Sequence, residues 1–409
     1  MSDMGKLNEE DIMGMLENTA PATKPKEDDT PVNANVHDST ADTRNLLVIG
    51  CGDGGCKIAS EIGKRIEDDA YVIVYNTSSK IYDENNKKKV KADCFVSPAN
   101  EDGSGKSRKY SKEVFKKGSF KYLLDQVKQI TEKIEFDYIM ICTTTDGGTG
   151  SGTSPMAAKL IADNVDIPVV VVGVYPSLKE DARAQKNTLG WQDEITRTGL
   201  PYMIFDNNME ITSLPLIHEK VNHYIADVMQ IISGQSYSNE AETIIDNRDF
   251  YQLIQTLGRR LTFVTSTARP AVNQSLDQYV EKMIQEAHQP APEGVRGVGL
   301  FVKAPQELIE KMNLSLSQIR AKYGDAELQY SHIEPADDIR ISVLFAGSGE
   351  PEVRLYEIRS RYEDIMNNRA QAKSVASSIL SDLDDDEDEY ATKKKKATGS
   401  EPNLDALDF

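Results

Sequence analysis

CTTTDGGTGSGTSPMAAKL, residues 142–160, packs four glycines into the six residues from Gly147 to Gly152. An apolar stretch, DYIMICTTT, leads into it and a helix-forming stretch, SPMAAKLIADNV, leads out. Glycine loses more conformational freedom on ordering than any other residue. A glycine run between a buried strand and a helix therefore marks a backbone that something approaches closely. Successive N–H groups from Gly147 to Thr153, at a helix start, can point at one phosphate group, and each missing Cβ lets that anion come nearer.

Working outward, NLLVIG from Asn45 reads as a strand, KIASEIGKRI as a helix and AYVIVYN as a strand. FKYLLDQVKQITEKI continues as a helix, and PVVVVGVYP follows the opening stretch as a further strand. Short apolar strands alternating with amphipathic helices predict an α/β fold with a mostly parallel sheet. Ligands in such sheets bind at the carboxyl ends of the strands, where these glycines fall. A long central helix is expected over about 216–233, then a smaller α/β domain containing RLTFVTSTA, GVGLFVKA and DDIRISVLFAGSG. From Glu352, Leu355, Ile358, Tyr362, Ile365 and Met366 share one helical face, so a long C-terminal helix closes the fold.

The expected boundaries are an extension at 1–43, a nucleotide-binding domain at 44–214, and a central helix with the loop after it at 215–257. A C-terminal domain at 258–350, a helix at 351–381 and an acidic tail at 382–409 complete the chain. Both tails are too polar or too charged to fold alone. In the first, LNEEDIMGMLEN is either a short docking helix or part of a frayed tail.

Composition excludes several classes. A net charge of −19 leaves no basic face for direct nucleic-acid binding. No apolar run approaches the roughly 18–20 residues of a membrane span. No basic region followed by an apolar one opens the chain, so a secretory signal is not expected and a cytoplasmic location is. Cys51, Cys56, Cys94 and Cys142 lack CxxC spacing and read as free, largely buried thiols.

Two other glycine loops compete for the same ligand chemistry. GCGDGGCK fits GxGxxG through Gly50, Gly52 and Gly55. A nicotinamide site would want an acid at the end of the second strand, where Asn76 and Thr77 stand. EDGSGKSRKYS contains GKS, but Asn100 occupies the position where a P-loop needs its first glycine. Lys106 and Arg108 remain candidate cations for a terminal phosphate.

GGTGSGT, Gly147 to Thr153, resembles the signature of the tubulin/FtsZ superfamily of GTP-binding filament proteins, and the similarity runs in order over about residues 45–350. The resemblance implies GTP and GDP as ligands, with Mg²⁺ held through phosphates and water rather than by a protein metal site. It makes GCGDGGCK the first phosphate loop, with Gly52, Asp53, Gly54 and Lys57, and YNTSS the second, with Asn76. DGSGKSR becomes the third, with Gly105, Lys106 and Arg108, and Gly147, Gly148, Thr149, Gly150, Ser151 and Gly152 the fourth. Glu180 and Arg183 fall on the ribose side. Asn207 and Asn222 align with base contacts, and His218 aligns with the ring that stacks on the base. Asn can accept from guanine N1–H and N2–H, and positions i and i+4 share a helix face. Without the resemblance, His218 reads as a solvent-facing helix residue and Asn222 as a core-edge amide.

In AETIIDNRDFYQLIQTLG, Asp246 and Asp249 match the family's acids that act on the neighbouring subunit's nucleotide. Asp246 equally suits a helix N-cap. The implied activity is GTP hydrolysis at a head-to-tail contact that repeats into a filament. GSGKSR, the long helix after FAGSGEP and the acidic tail look most like the plasmid and phage tubulins of the TubZ and PhuZ type, which position DNA. A divergent FtsZ-like division protein and a filament with little hydrolysis are the alternatives. Departures from FtsZ include Asp53, a carboxylate beside expected phosphates, and Lys57 in place of Asn. Leu404, Leu407 and Phe409 end the chain as either a docking motif for a basic adaptor or a solubilising tail.

Overall fold

The computed structural model describes residues 45–387 apart from 79–89, 99–102, 210–212, 235–244, 258, 272–273, 313–318, 320–321 and 324–325. The docking segments expected near residues 7–16 and 404–409 lie outside the described residues.

Six strands form the first part of the sheet: β1 (Leu46–Cys51), β2 (Ala70–Tyr75), β3 (Cys94–Val96), β4 (Tyr138–Thr144), β5 (Val169–Tyr175) and β6 (Tyr202–Asp206). Their order is β3-β2-β1-β4-β5-β6, every pair parallel. Along β1, Leu46 and Val48 enter one core while Leu47 and Ile49 enter another, all fully buried. Burial on both faces is why these strands read as continuous apolar runs rather than alternating ones.

Helices α1 (Gly52–Ile66), α6 (Leu214–Ile232) and the short α7 (Asn247–Tyr251) cover one face through Ile58, Ile62, Ile217, Val221, Ile225 and Phe250. The other face is covered by α3 (Phe120–Thr131), α4 (Thr149–Ala162), α5 (Ala182–Thr198) and α10 (Glu352–Glu387), with α2 (Arg108–Val114) leading into α3. Of the expected apolar face, Leu355 and Ile358 are buried, Tyr362 and Ile365 are half-buried and Met366 is exposed.

The sheet continues into β7 (Arg260–Ser266), β10 (Arg340–Ser348), β8 (Gly297–Ala304) and β9 (Leu328–Pro335), ten strands in all. Only two residue pairs, Tyr202–Arg260 and Met203–Leu261, join β6 to β7. Beyond them, β10 runs antiparallel to β7 and β8, and β9 runs parallel to β8. A third core forms there under α8 (Leu276–Glu286) and α9 (Gln306–Lys311), around Val264, Val280, Leu300 and Val343. Arg260, fully buried at the junction, donates to the carbonyls of Gly349, Pro290 and Ala291 at 2.8–3.0 Å.

The expected fold class holds: an α/β fold on a mostly parallel sheet with a long central and a long C-terminal helix. Two strands were not anticipated. β3 is three residues long, and β9, LQYSHIEP, carries polar residues at half its positions, including buried His332 and Glu334. α10 runs to Glu387, past the expected end at 381. No glycine or proline interrupts the chain there.

Candidate functional site

α1 begins at Gly52 and α4 at Thr149, so both helices start inside the glycine loops rather than after them. Neither has a side-chain cap, and the first-turn N–H groups of each lack an intrahelical partner. Both ends face one cavity of about 410 Å³ at the carboxyl ends of β1 and β4. That crevice lies where strand order reverses between β2 and β4 around β1.

Gly52, Asp53, Gly54, Lys57 and Asn76 line the cavity from the first two loops, and Lys106 from the third. Gly147, Gly148, Thr149 and Gly150 line it from the fourth, with Glu180, Asn207, His218 and Asn222 on the far side. His218 is exposed at the wall and Asn222, one turn later, is half-buried. Asn207 is only 7% exposed, and its Oδ1 is a buried acceptor with no partner among the described residues. A buried acceptor left open on a cavity wall suits a ligand that brings a donor.

The glycines do a different job from the one expected. A Cβ on Gly52 would stand 2.6 Å from the Gly150 nitrogen, and one on Gly150 would stand 2.5 Å from the Cys51 carbonyl oxygen. A Cβ on Gly148 would stand 2.6 Å from the Ser107 nitrogen. These glycines let the loops interlock, and of the fourth loop only Gly147 has open space where its Cβ would be. The expectation that each glycine clears space for an anion is thus corrected: most clear space for the backbone and side chains of neighbouring loops, which brings two helix ends to one point.

Threonines and one asparagine finish the interlock. Thr149 Oγ1 meets Thr77 Oγ1 at 2.6 Å and donates to Ser104 Oγ at 3.2 Å. Asn187, on α5, donates its amide to the carbonyls of Lys106, Asp146 and Gly147 at 2.9–3.2 Å. Thr77, Ser78, Gly103, Ser104, Thr144, Asp146, Val174 and Pro176 also line the wall and were not singled out. Several stand beside chosen residues in the same loops. Asn187 carries no such signal, since its partners lie 40 or more residues away.

Gly105, Arg108, Ser151, Gly152 and Arg183 stand off the cavity wall. Arg108 acts here as a brace: it pairs with Glu194 at 2.8 Å and donates to the Ser151 carbonyl. Ser151 turns back to the Gly147 carbonyl, and Arg183 donates to the Gly105 carbonyl at 2.9 Å. Gly152 packs against the Arg108 backbone.

The wall carries three carboxylates, Asp53, Asp146 and Glu180, against two cations, Lys57 and Lys106. Lys57 is tied to Asp53 at 2.5 Å, which holds that carboxylate's charge in check. Lys106 sits in the left-handed region at φ 60° and reaches Asp181 at 2.9 Å. Partial burial opposes the Lys106 charge, but Asp181 and neighbouring acids win and raise its pKa. Burial pushes the Asp181 carboxyl up, while the Ala184 amide and Lys106 outweigh it and hold it below the ordinary value. Among the described residues no group of three His, Cys, Asp or Glu side chains could hold a metal. The four thiols are free, and burial pushes Cys51 up to about 12, so it is not a nucleophile.

Asp246 and Asp249 are elsewhere. Asp246 caps α7, its Oδ1 accepting from the Asp249 N–H at 2.8 Å. Phe250 packs edge-on against Tyr138 at 5.8 Å, and Tyr138 is the first residue of β4. The cavity lies at the other end of β4, about 20 Å along a strand of that length. α6 also lines the cavity, through His218 and Asn222, and its last residue, Ile232, lies about 15 Å along the helix beyond Asn222. Beside the acids, Tyr330 donates to Gln252 Oε1 at 2.7 Å. Burial, then the nearby Asp249 carboxylate, raises its pKa.

Residues 45–212 match the sequence profile of the Tubulin/FtsZ family, GTPase domain. The chain is 24% identical over 149 residues to the tubulin-like protein CetZ2 of Haloferax volcanii, a stretch covering 35% of this chain and 41% of that relative. The fold is similar to the crystal structure of Clostridium botulinum phage c-st TubZ, with TM-score 0.64 and 17% identity over 79% of this chain and 98% of that one. It is also similar to Bacillus thuringiensis serovar israelensis TubZ, solved as a GTPγS-form protofilament, with TM-score 0.66 and 16% identity. That match covers 81% of this chain and 94% of the other. Residues 45–212 thus match the Tubulin/FtsZ-family GTPase domain, within a fold similar to that of the solved TubZ structures.

Proposed function

We propose that this tubulin-like chain binds GTP in the cavity and hydrolyses it only where two copies meet head to tail. The carrying observation is the separation of the two sets of residues. The cavity and its uncapped helix ends lie at the carboxyl end of β4, while Phe250, next to Asp249, packs on Tyr138 at its amino end, which keeps the acids away from the cavity within one chain. A second copy stacked along the axis of β4 brings its acids over the first copy's phosphates. A contact of that kind is heterologous and repeats into an open filament.

Within the cavity the phosphates lie against the N–H groups that open α1 and α4, where the helix dipoles favour negative charge. Lys106, and Lys57 once it leaves Asp53, add the positive charge. Because carboxylates outnumber cations on the wall, the triphosphate brings its own divalent cation, and Mg²⁺ held through phosphate and water suits the site. Asn207 and Asn222 face the guanine edge, the open acceptor of Asn207 matching a guanine N–H, and His218 covers the ring. The neighbour's Asp249 orients the attacking water.

The cargo reading rests on the resemblance to the plasmid and phage tubulins, and charge bears only on how DNA would be reached. A protein of net charge −19 would reach DNA through a basic adaptor on its acidic tail, as a filament that positions plasmid or phage DNA. The filament reading is tested by following phosphate release and light scattering together with GTP, ATP or GDP, over a range of protein concentration. Turnover and scattering that appear only with GTP and rise steeply above a threshold concentration are expected. Phosphate release linear in protein concentration, with no scattering, sinks the head-to-tail mechanism and leaves the nucleotide site standing.

A further inference from the structure

Helix α10 is fastened to the base side of the cavity by two arginines. Arg354 is 7% exposed and grips Asp206 with two nitrogens, Nε to Oδ2 at 2.5 Å and Nη2 to Oδ1 at 3.1 Å. The same Nη2 donates to the Pro176 carbonyl at 2.8 Å, and Nη1 reaches Glu357 at 3.1 Å. Two turns on, Arg361 Nε donates to the Leu178 carbonyl at 2.9 Å.

The clamped loops are tied to each other as well. Asp206 Oδ1 accepts from the Asn208 N–H at 2.8 Å, and Asn208 Oδ1 accepts from the Leu178 N–H at 3.2 Å. The Asn207 N–H donates to the Tyr175 carbonyl at 3.0 Å. These loops bring Pro176, Glu180 and Asn207 to the wall. One peptide bond separates the carboxylate that Arg354 holds from the residue whose Oδ1 is the wall's open acceptor.

We propose that Arg354 is a positioning residue for base recognition: through Asp206 and Pro176 it fixes Asn207 against the guanine edge, and so couples docking of α10 to nucleotide binding. This rests on the GTP reading above. A planar guanidinium matches a carboxylate and a carbonyl at once, which an ammonium cannot do, so lysine is not an equivalent here. Coupling of this kind is reciprocal: a fixed α10 improves guanine binding, and bound guanine holds α10 down.

The test uses the full chain below its assembly concentration. Equilibrium binding of GTP and of ITP, which lacks the 2-amino group, is measured for the unsubstituted chain, Arg354→Lys and Asn207→Ala. Hydrogen exchange over residues 352–361 is followed with and without GTP. Arg354→Lys is expected to weaken GTP binding about tenfold, the loss of one charge-assisted hydrogen bond. ITP binding should weaken less, so that the GTP-over-ITP preference falls toward that of Asn207→Ala. GTP should slow exchange at 352–361 in the unsubstituted chain and not in Arg354→Lys. Equal losses for GTP and ITP, or exchange at 352–361 indifferent to GTP in the unsubstituted chain, overturn the proposal. If Arg354→Lys does not fold, the exchange experiment on the unsubstituted chain decides alone. An unsubstituted chain that binds no GTP, or prefers ATP, overturns the nucleotide reading instead.

Discussion

At the carboxyl end of β4 the cavity wall is knitted from four loops, with Thr77, Thr149, Ser104 and Asn187 bonding them to one another. Near the amino end of β4, Asp246 caps a five-residue helix and is exposed, while Asp249 in its first turn is half-buried beside Tyr330. The first end is built to hold a fixed shape before a ligand arrives. The second is one short turn whose capping acid, Asp246, faces solvent. On the proposed head-to-tail reading the two ends are halves of one site, completed when a second molecule stacks on the first.

The largest expected effect comes from breaking the outward end. Asp249→Ala should lower turnover by roughly 10²–10⁴, the usual worth of a positioned acid or base, while GTP affinity stays unchanged. Mixing restores what neither chain does alone. An Asn222→Ala chain, impaired in base binding with its acids intact, should return part of the phosphate release when added to Asp249→Ala. Release that stays at background while the two chains sediment together as mixed filaments would put the acids and phosphates back in one subunit.

Next in size is a test of the knitted end. Gly150→Ala forces a methyl to within 2.5 Å of the Cys51 carbonyl and against Thr143 Oγ1, so α1 and α4 must separate. Overpacking of this kind costs about 1–3 kcal/mol, and thermal unfolding without nucleotide should show it alongside lost GTP binding. Gly147→Ala meets no atom within 4 Å and should leave stability within about 0.5 kcal/mol. Any GTP affinity it loses is then lost to the ligand alone. Equal destabilisation by both substitutions would mean that the interlock is not what the glycines serve.

What the sequence disclosed of this comparison was whatever is local. The buried strands, the helices after them and the glycine spacing each sit within a dozen residues, so periodicity and loop chemistry expose them. The cavity's floor did not show, because it is made by distant partners: Asn187 bracing Gly147, and Arg354 reaching back 148 residues to Asp206. The bracing contact of Arg108 was hidden for the same reason. A cation next to a phosphate loop looks like a ligand until Glu194, 86 residues away, takes it up. β9 was missed because a polar edge strand has no apolar run, and its burial is decided by Gln252 and the β8 register rather than by its own residues.

The smallest effect separates the two roles open to Asp246. Its carboxylate caps α7 through the Asp249 N–H, and the same carboxylate could act on a neighbour's phosphates. Asp246→Ser keeps a capping oxygen and removes the charge, whereas Asp246→Ala removes both. Losing the cap costs about 1 kcal/mol, small enough to leave the chain folded and visible as a lowered unfolding temperature in the alanine variant alone. If capping is the whole role, the serine variant turns over GTP as the unsubstituted chain does. If the acid itself faces the phosphates, both variants lose turnover alike, whatever their stability. A serine variant that unfolds as early as alanine would show that the charge at the start of α7, and not the hydrogen bond, holds Asp249 in place.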